Sequence, residues 1–135
     1  MGHIIGLDTC VFIYVLEANP EYARRAENIL SALERGSASA VFASIGLIEI
    51  LTGPKKKNRY DLASQYRAII ARFPHLDVMG LTEPIIELAS GMRARYGIPT
   101  PDAIHLATAI DFGAETFITN DKRLKKVKEI NVSLL

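Results

Sequence analysis

The chain has 135 residues, a size at which one domain buries a core without disulfides or structural metal, and its 49% hydrophobic and 23% charged residues exclude the disordered class. Its 16 Lys plus Arg against 15 Asp plus Glu leave a formal charge of +1, which excludes a global field for polyanions or membranes and leaves that work to local patches. The lone Cys10 cannot form an internal disulfide, no leader pattern opens the chain, and no apolar stretch approaches the roughly 20 residues of a membrane helix, so the expected setting is reducing and cytoplasmic, with no membrane contact.

In chain order, His3 to Leu7 is a short apolar run that stops at Asp8, the pattern of a buried parallel strand with the acid at its C-terminal end. Val11 to Leu16 predicts a short helix. Asn19-Pro20 supplies an N-cap followed by proline at the first helical position, so a second helix is expected to begin there, turning Ala23, Ala26, Ile29, Leu30 and Leu33 inward until Gly36. Ala38 to Ala43 reads as a second strand, and Ser44 as the cap of a short helix that carries Glu49 and ends at Thr52-Gly53-Pro54.

An amphipathic helix from Asn58 places Leu62, Tyr66, Ile69, Ile70 and Phe73 on its inner face and closes at Pro74. Leu76 to Met79 is a short strand, and Thr82 with Pro84 opens a helix whose Ile85, Leu88, Ala89 and Met92 face inward until Gly97. Thr100-Pro101-Asp102 repeats that start signal, and the following AIHLATAI is apolar almost all round, which places it in the domain centre. Glu115 to Thr119 is another strand, leading into Asn120-Asp121 and a basic helical segment, with Val132 to Leu135 as an edge strand. Strands alternating with helices predict an α/β fold, a central parallel sheet of four to five short strands with helices on both faces, in one domain over residues 1–135.

Ligands of open parallel sheets bind outside the carboxyl ends of the strands, and four acids are expected at that rim: Asp8, Glu49, Asp102 and Asp121. Each close pair of carboxylates repels by about 4 kcal/mol at 4 Å for an effective dielectric of 20. Such a cluster is neutralised by raised pKa values or by a hard cation, and Mg²⁺ or Mn²⁺ held by carboxylates points to phosphate chemistry. Singly, the acids have blander readings: Asp102 as a favourable charge in a helix's first turn, Glu49 as a surface acid, Asp121 as a helix cap. His105 reads as a hydrogen-bonded core histidine and Cys10 as a small buried residue, neither with a catalytic task.

In this order and separation, Leu7-Asp8-Thr9, Ser44 with Glu49-Ile50-Leu51, Thr100 to Ala109 (TPDAIHLATA) and Thr119-Asn120-Asp121 resemble the PIN-domain ribonucleases, and within them the VapC-like toxins of toxin–antitoxin pairs. The resemblance covers nearly the whole chain and implies a PIN-like three-layer sandwich. It implies a Mg²⁺- or Mn²⁺-dependent endoribonuclease in which Asp8, Glu49, Asp102 and Asp121 form the acidic site, with Asp8 and Asp102 the most direct metal ligands. The Thr9 and Thr119 hydroxyls stand beside two of these acids, where they can hydrogen-bond a carboxylate or a bound water. It further implies an RNA substrate, a small cognate antitoxin and a homodimer. Cys10 departs from the small polar residue common at that place in the family.

Lys55, Lys56, Lys57 and Arg59, then Arg93 and Arg95, then Lys122 and Arg123 with Lys125 and Lys126 behind them, are candidate contacts to an RNA backbone. Rival classes fit less well. A phosphoacceptor receiver would carry a lysine where Asp121 stands, and a haloacid-dehalogenase-like phosphatase a second Asp where Cys10 stands. A non-toxin PIN nuclease of RNA processing, or an inactive module binding RNA or a protein, are the remaining alternatives. Dinucleotide, NTP and zinc motifs are absent from the sequence.

Overall fold

The computed structural model describes residues 3–135. Five strands, β1 (His3–Leu7), β2 (Ala38–Ala43), β3 (Leu76–Met79), β4 (Thr116–Thr119) and β5 (Asn131–Leu134), form one sheet in the order β3-β2-β1-β4-β5, with every pairing parallel. Six helices connect them: α1 (Thr9–Leu16), α2 (Ala23–Glu34), α3 (Gly46–Lys56), α4 (Tyr60–Ala71), α5 (Glu83–Tyr96) and α6 (Thr100–Phe112). A short 3₁₀ segment covers Lys122–Lys126.

Alternating side chains of the strands feed two cores, which is why the parallel sheet needs helices on both faces. On one face Val41 and Phe117 pack with Ile85, Ala89 and Met92 of α5 and Ala103, Leu106 and Ala107 of α6. On the other, Leu7 and Phe42 pack with Val11, Phe12, Leu30, Leu33, Ile50 and Ile70 from α1 to α4. The result is a three-layer sandwich with the sheet in the middle and α6 buried between α5 and the inner strands, as the all-round apolar pattern of that helix requires. Close approach explains Gly6: a Cβ there would lie 2.4 Å from the Cβ of Ala109, so α6 rests directly on β1. Among the described residues no helix is long and apolar enough to cross a membrane.

Several local details differ from the sequence reading. The Asn19 side chain accepts hydrogen bonds from the backbone N–H groups of Glu21 and Tyr22, both at 2.9 Å, and so closes a turn, with α2 beginning only at Ala23. Ser44 makes no side-chain cap for α3; its backbone carbonyl accepts from Leu47 instead. Thr52-Gly53-Pro54 does not stop α3, which runs on to Lys56 because Pro54 is buried there and its carbonyl accepts from Lys57 and Arg59. Ile69, placed inward by the helical period, is 46% exposed, because α4 packs along only one side and its neighbour Ile70 takes the buried position. Thr82, by contrast, caps α5 as predicted, and Gly97 ends that helix in the left-handed conformation.

Candidate active site at the carboxyl edge of the sheet

The strand order reverses between β1 and β4, since the chain builds outward through β2 and β3 on one side and returns to β4 and β5 on the other. Such a switch point leaves a crevice beyond the strand ends. Asp8 and the Thr119-Asn120-Asp121 segment border it, and the Asp8 N–H donates to the Ile118 carbonyl at 2.9 Å. A cleft of about 540 Å³ opens here, lined by Asp8, Cys10, Tyr14, Thr119, Asn120, Asp121, Lys122 and Arg123.

Asp8 is held at both oxygens. Oδ1 accepts from the Thr9 backbone N–H at 2.8 Å, capping α1, and Oδ2 accepts from the buried Thr119 hydroxyl at 2.7 Å. Thr119 Oγ1 in turn accepts from the Asp121 N–H at 3.1 Å, so one threonine ties two acids together. The Asp121 carboxylate is gripped by Arg123, with Nη2 at 2.6 Å from Oδ2 and Nε at 3.0 Å from Oδ1, and this guanidinium holds its carboxyl below the usual carboxylate range.

Asp102 lies in the first turn of α6, half-buried. Burial, and then the charges of Asp8 and Asp121, push its carboxyl above its ordinary value of 3.8. The charges of Asp8 and Asp121 therefore reach Asp102. Glu49 stands apart. Its Oε1 lies 3.0 Å from the Thr9 hydroxyl and 3.2 Å from His105 Nε2, and the His105 bond, outweighing partial burial, lowers its pKa.

His105 is the residue that sequence reasoning missed. It is buried and hydrogen-bonded, as a core histidine should be, yet its partner is a site acid. The available signal was its place three residues after Asp102, on the same side of the helix. Asn120 and Tyr14 also join the cleft, the Asn120 amide donating to the Tyr14 hydroxyl at 3.1 Å. Burial, with Asp8 nearby, pushes the Cys10 thiol up to about 12, so it stays protonated and has no nucleophilic character.

The predicted basic contacts divide. Lys122 and Arg123 border the cleft. Lys55 sits 5.6 Å over the Tyr60 ring beside a separate cavity, Lys56 and Lys57 are exposed at the end of α3, and Arg59 pairs with Asp61 at 3.0 Å. Arg93 donates to the Ile98 carbonyl at 3.2 Å, and Arg95 pairs with Glu129 at 2.6 Å.

Among the described residues, no three His, Cys, Asp or Glu side chains close on one point as a preformed metal cage. The donor chemistry nonetheless fits Mg²⁺, which takes one or two carboxylates and keeps several waters. Asp102 is raised first by burial and then by the charges of Asp8 and Asp121, and that added negative charge is what such an ion would balance.

That shift has a consequence for metal-free protein. A carboxyl whose folded pKa lies above its unfolded value binds more protons in the native state, so stability falls as pH rises from the unfolded value through the folded one. Asp102→Asn removes the penalty. Its melting temperature, measured in chelator, is expected to gain on the wild type's as pH rises from 3 to 7; a difference constant with pH would contradict the burial and crowding of Asp102.

Fold and site define a small parallel α/β protein with an acidic cleft at the sheet's switch point. The model of the PIN domain family matches residues 5–130, and the chain belongs to that family. Solved structures agree in fold. VapBC2 from Rickettsia felis, bound to a DNA fragment from its promoter, has a TM-score of 0.74 and 18% identity, over 97% of this chain and 98% of that one. A toxin–antitoxin complex from Klebsiella pneumoniae has a TM-score of 0.71 and 23% identity over 96% and 95%. VapC20 from Mycobacterium tuberculosis, a toxin that cleaves the sarcin–ricin loop, has a TM-score of 0.70 and 16% identity over 95% and 98%. No curated protein matches by sequence.

Proposed function

We propose that this chain is a divalent-metal-dependent endoribonuclease that hydrolyses phosphodiester bonds of single-stranded or loop RNA. The observation that carries the reading is the meeting of Asp8 and Asp121 in the switch-point cleft, tied through Thr119, with the half-buried Asp102 near enough for their charges to add to the burial that raises its carboxyl. Asp8 and Asp102 would hold Mg²⁺ or Mn²⁺, with Asp121 and Glu49 completing the acidic site. The ion, when bound, supplies Lewis-acid activation of water and neutralises charge at the phosphorus. Thr119 and the α1 N-terminus keep Asp8 oriented, and Lys122 and Arg123 offer cations to a phosphate at the cleft's edge. The test is cleavage of a single-stranded RNA with Mg²⁺ and with EDTA, followed by mapping of cut ends in total RNA. Cleavage that survives EDTA, or none with either metal, would sink the proposal.

The family and the VapBC-type neighbours support a narrower reading, a cytoplasmic toxin that forms a homodimer and is restrained by a small antitoxin. Ile48, Tyr60 and Ile69, exposed at 67%, 58% and 46% on α3 and α4, give a protein partner apolar surface. Expression alone is expected to arrest growth, and expression with the antitoxin encoded beside it to restore growth. Harmless expression of an active enzyme in its native host, with no antitoxin present, would remove the toxin role and leave the nuclease standing.

A further inference from the structure

His105 stacks on Phe42 with ring centroids 5.7 Å apart, and its side chain is 1% exposed. Its Nδ1 is buried with no hydrogen-bond partner. Its Nε2 lies 3.0 Å from Thr9 Oγ1 and 3.2 Å from Glu49 Oε1. Hydrogen counting fixes the tautomer. An ionised Glu49 only accepts, and the single hydroxyl hydrogen of Thr9 goes to Glu49 at 3.0 Å, so Thr9 Oγ1 has only a lone pair for His105. A bare Nε2 would then face two oxygens with no hydrogen between, while an N–H at Nδ1 would be buried without an acceptor. The arrangement is consistent when Nε2 carries the hydrogen and Nδ1 is a bare lone pair.

A buried imidazole with one unpaired nitrogen is a poor way to fill a core, since an apolar side chain of similar size leaves no polar atom unsatisfied. We infer that His105 is a positioning residue: the hydrogen on its Nε2, together with the Thr9 hydroxyl, locks the half-exposed Glu49 carboxylate into one orientation beside Thr9, the residue next to Asp8. Thr9 links this clamp to the metal side of the site, because its backbone N–H holds Asp8 while its hydroxyl holds Glu49. The consequence for catalysis rests on the nuclease reading; the clamp itself does not.

Three variants and one spectrum decide it. In the ¹⁵N spectrum of the wild-type imidazoles, His105 is expected as a ring protonated at Nε2, and Glu49→Ala is expected to shift that Nε2–H signal. His105→Leu is expected to fold with a melting temperature equal to or above wild type, to lower kcat for RNA cleavage roughly tenfold or more, and to leave KM nearly unchanged. His105→Gln, which keeps an N–H donor near the same place, is expected to recover part of kcat. A bare Nε2, a signal indifferent to Glu49→Ala, or a Gln variant no more active than Leu would each overturn the inference. Should His105→Leu not fold, the wild-type spectrum and its response to Glu49→Ala still decide. Should the wild type cut no RNA, the nuclease reading falls while the spectrum and the melting temperatures still judge the clamp.

Discussion

Asp8→Asn and Asp102→Asn are each expected to lower the rate of metal-dependent RNA cleavage by at least a hundredfold, about 2.7 kcal/mol of barrier, with the fold intact. The fold survives because the amide at position 8 keeps an oxygen for the Thr9 N–H, and Asn is as good an N-cap as Asp. What it loses is charge, and its NH₂ faces the Thr119 hydroxyl, leaving the hydroxyl hydrogen to find a new acceptor. At position 102 the amide relieves the burial of charge, and then the crowding by Asp8 and Asp121, that raise the native carboxyl.

Thermal shifts separate loss of metal from loss of chemistry. An ion that binds only the folded state at ten times its dissociation constant adds about 1.4 kcal/mol, roughly 3 to 6 °C for a domain of this size. Wild type is expected to gain that shift from Mg²⁺ at fixed ionic strength, and Asp8→Asn to gain almost none. Equal gains would mean that Asp8 is not a ligand, and full activity in either folded mutant would end the assignment of the site.

Gly46→Val is expected to lower stability by about 3 kcal/mol, a fall in melting temperature on the order of 10 °C. A Cβ at Gly46 would meet the Phe42 ring at 2.2 Å and Thr9 Oγ1 at 2.8 Å. Phe42 cannot retreat: it is fully buried, packed against Phe12 at a centroid distance of 4.9 Å and against His105 on its other side. Thr9 would have to give way, which breaks the clamp on Glu49, so activity should fall further than stability alone explains. Gly91→Ala, in the middle of α5, is the control. There no atom lies within 4 Å of the added Cβ, and roughly 0.5–1 kcal/mol of stabilisation is expected. Urea denaturation of both variants checks the contrast, and an undiminished midpoint for Gly46→Val would refute the close approach of α3 to β2 and α1.

The order of elements was legible in the sequence because it follows from local chemistry. Runs such as His3 to Leu7 and Ala38 to Ala43 have the period and length of buried strands, Thr82 and Gly97 mark a helix's ends, and the all-round apolar α6 has nowhere to go but the centre. Asp8 and Asp121 were legible as strand-end acids for the same reason.

The tertiary structure decided what depends on neighbours distant in the chain. Strand order is one such property: β1 pairs with β4 across more than a hundred residues, and this makes the switch point that joins Asp8 to Asp121. Packing also overruled local stop signals, carrying α3 through Gly53-Pro54 because a buried proline ring there offsets the hydrogen bond it cannot make. Periodicity put Ile69 on the inner face of α4, yet only contact with α3 and the sheet selects which side chain of that face is covered. The part of Glu49 was hidden for a like reason. Its partners, Thr9 and His105, are 40 and 56 residues away, and a hydrogen bond between helices leaves no periodic trace in any one of them.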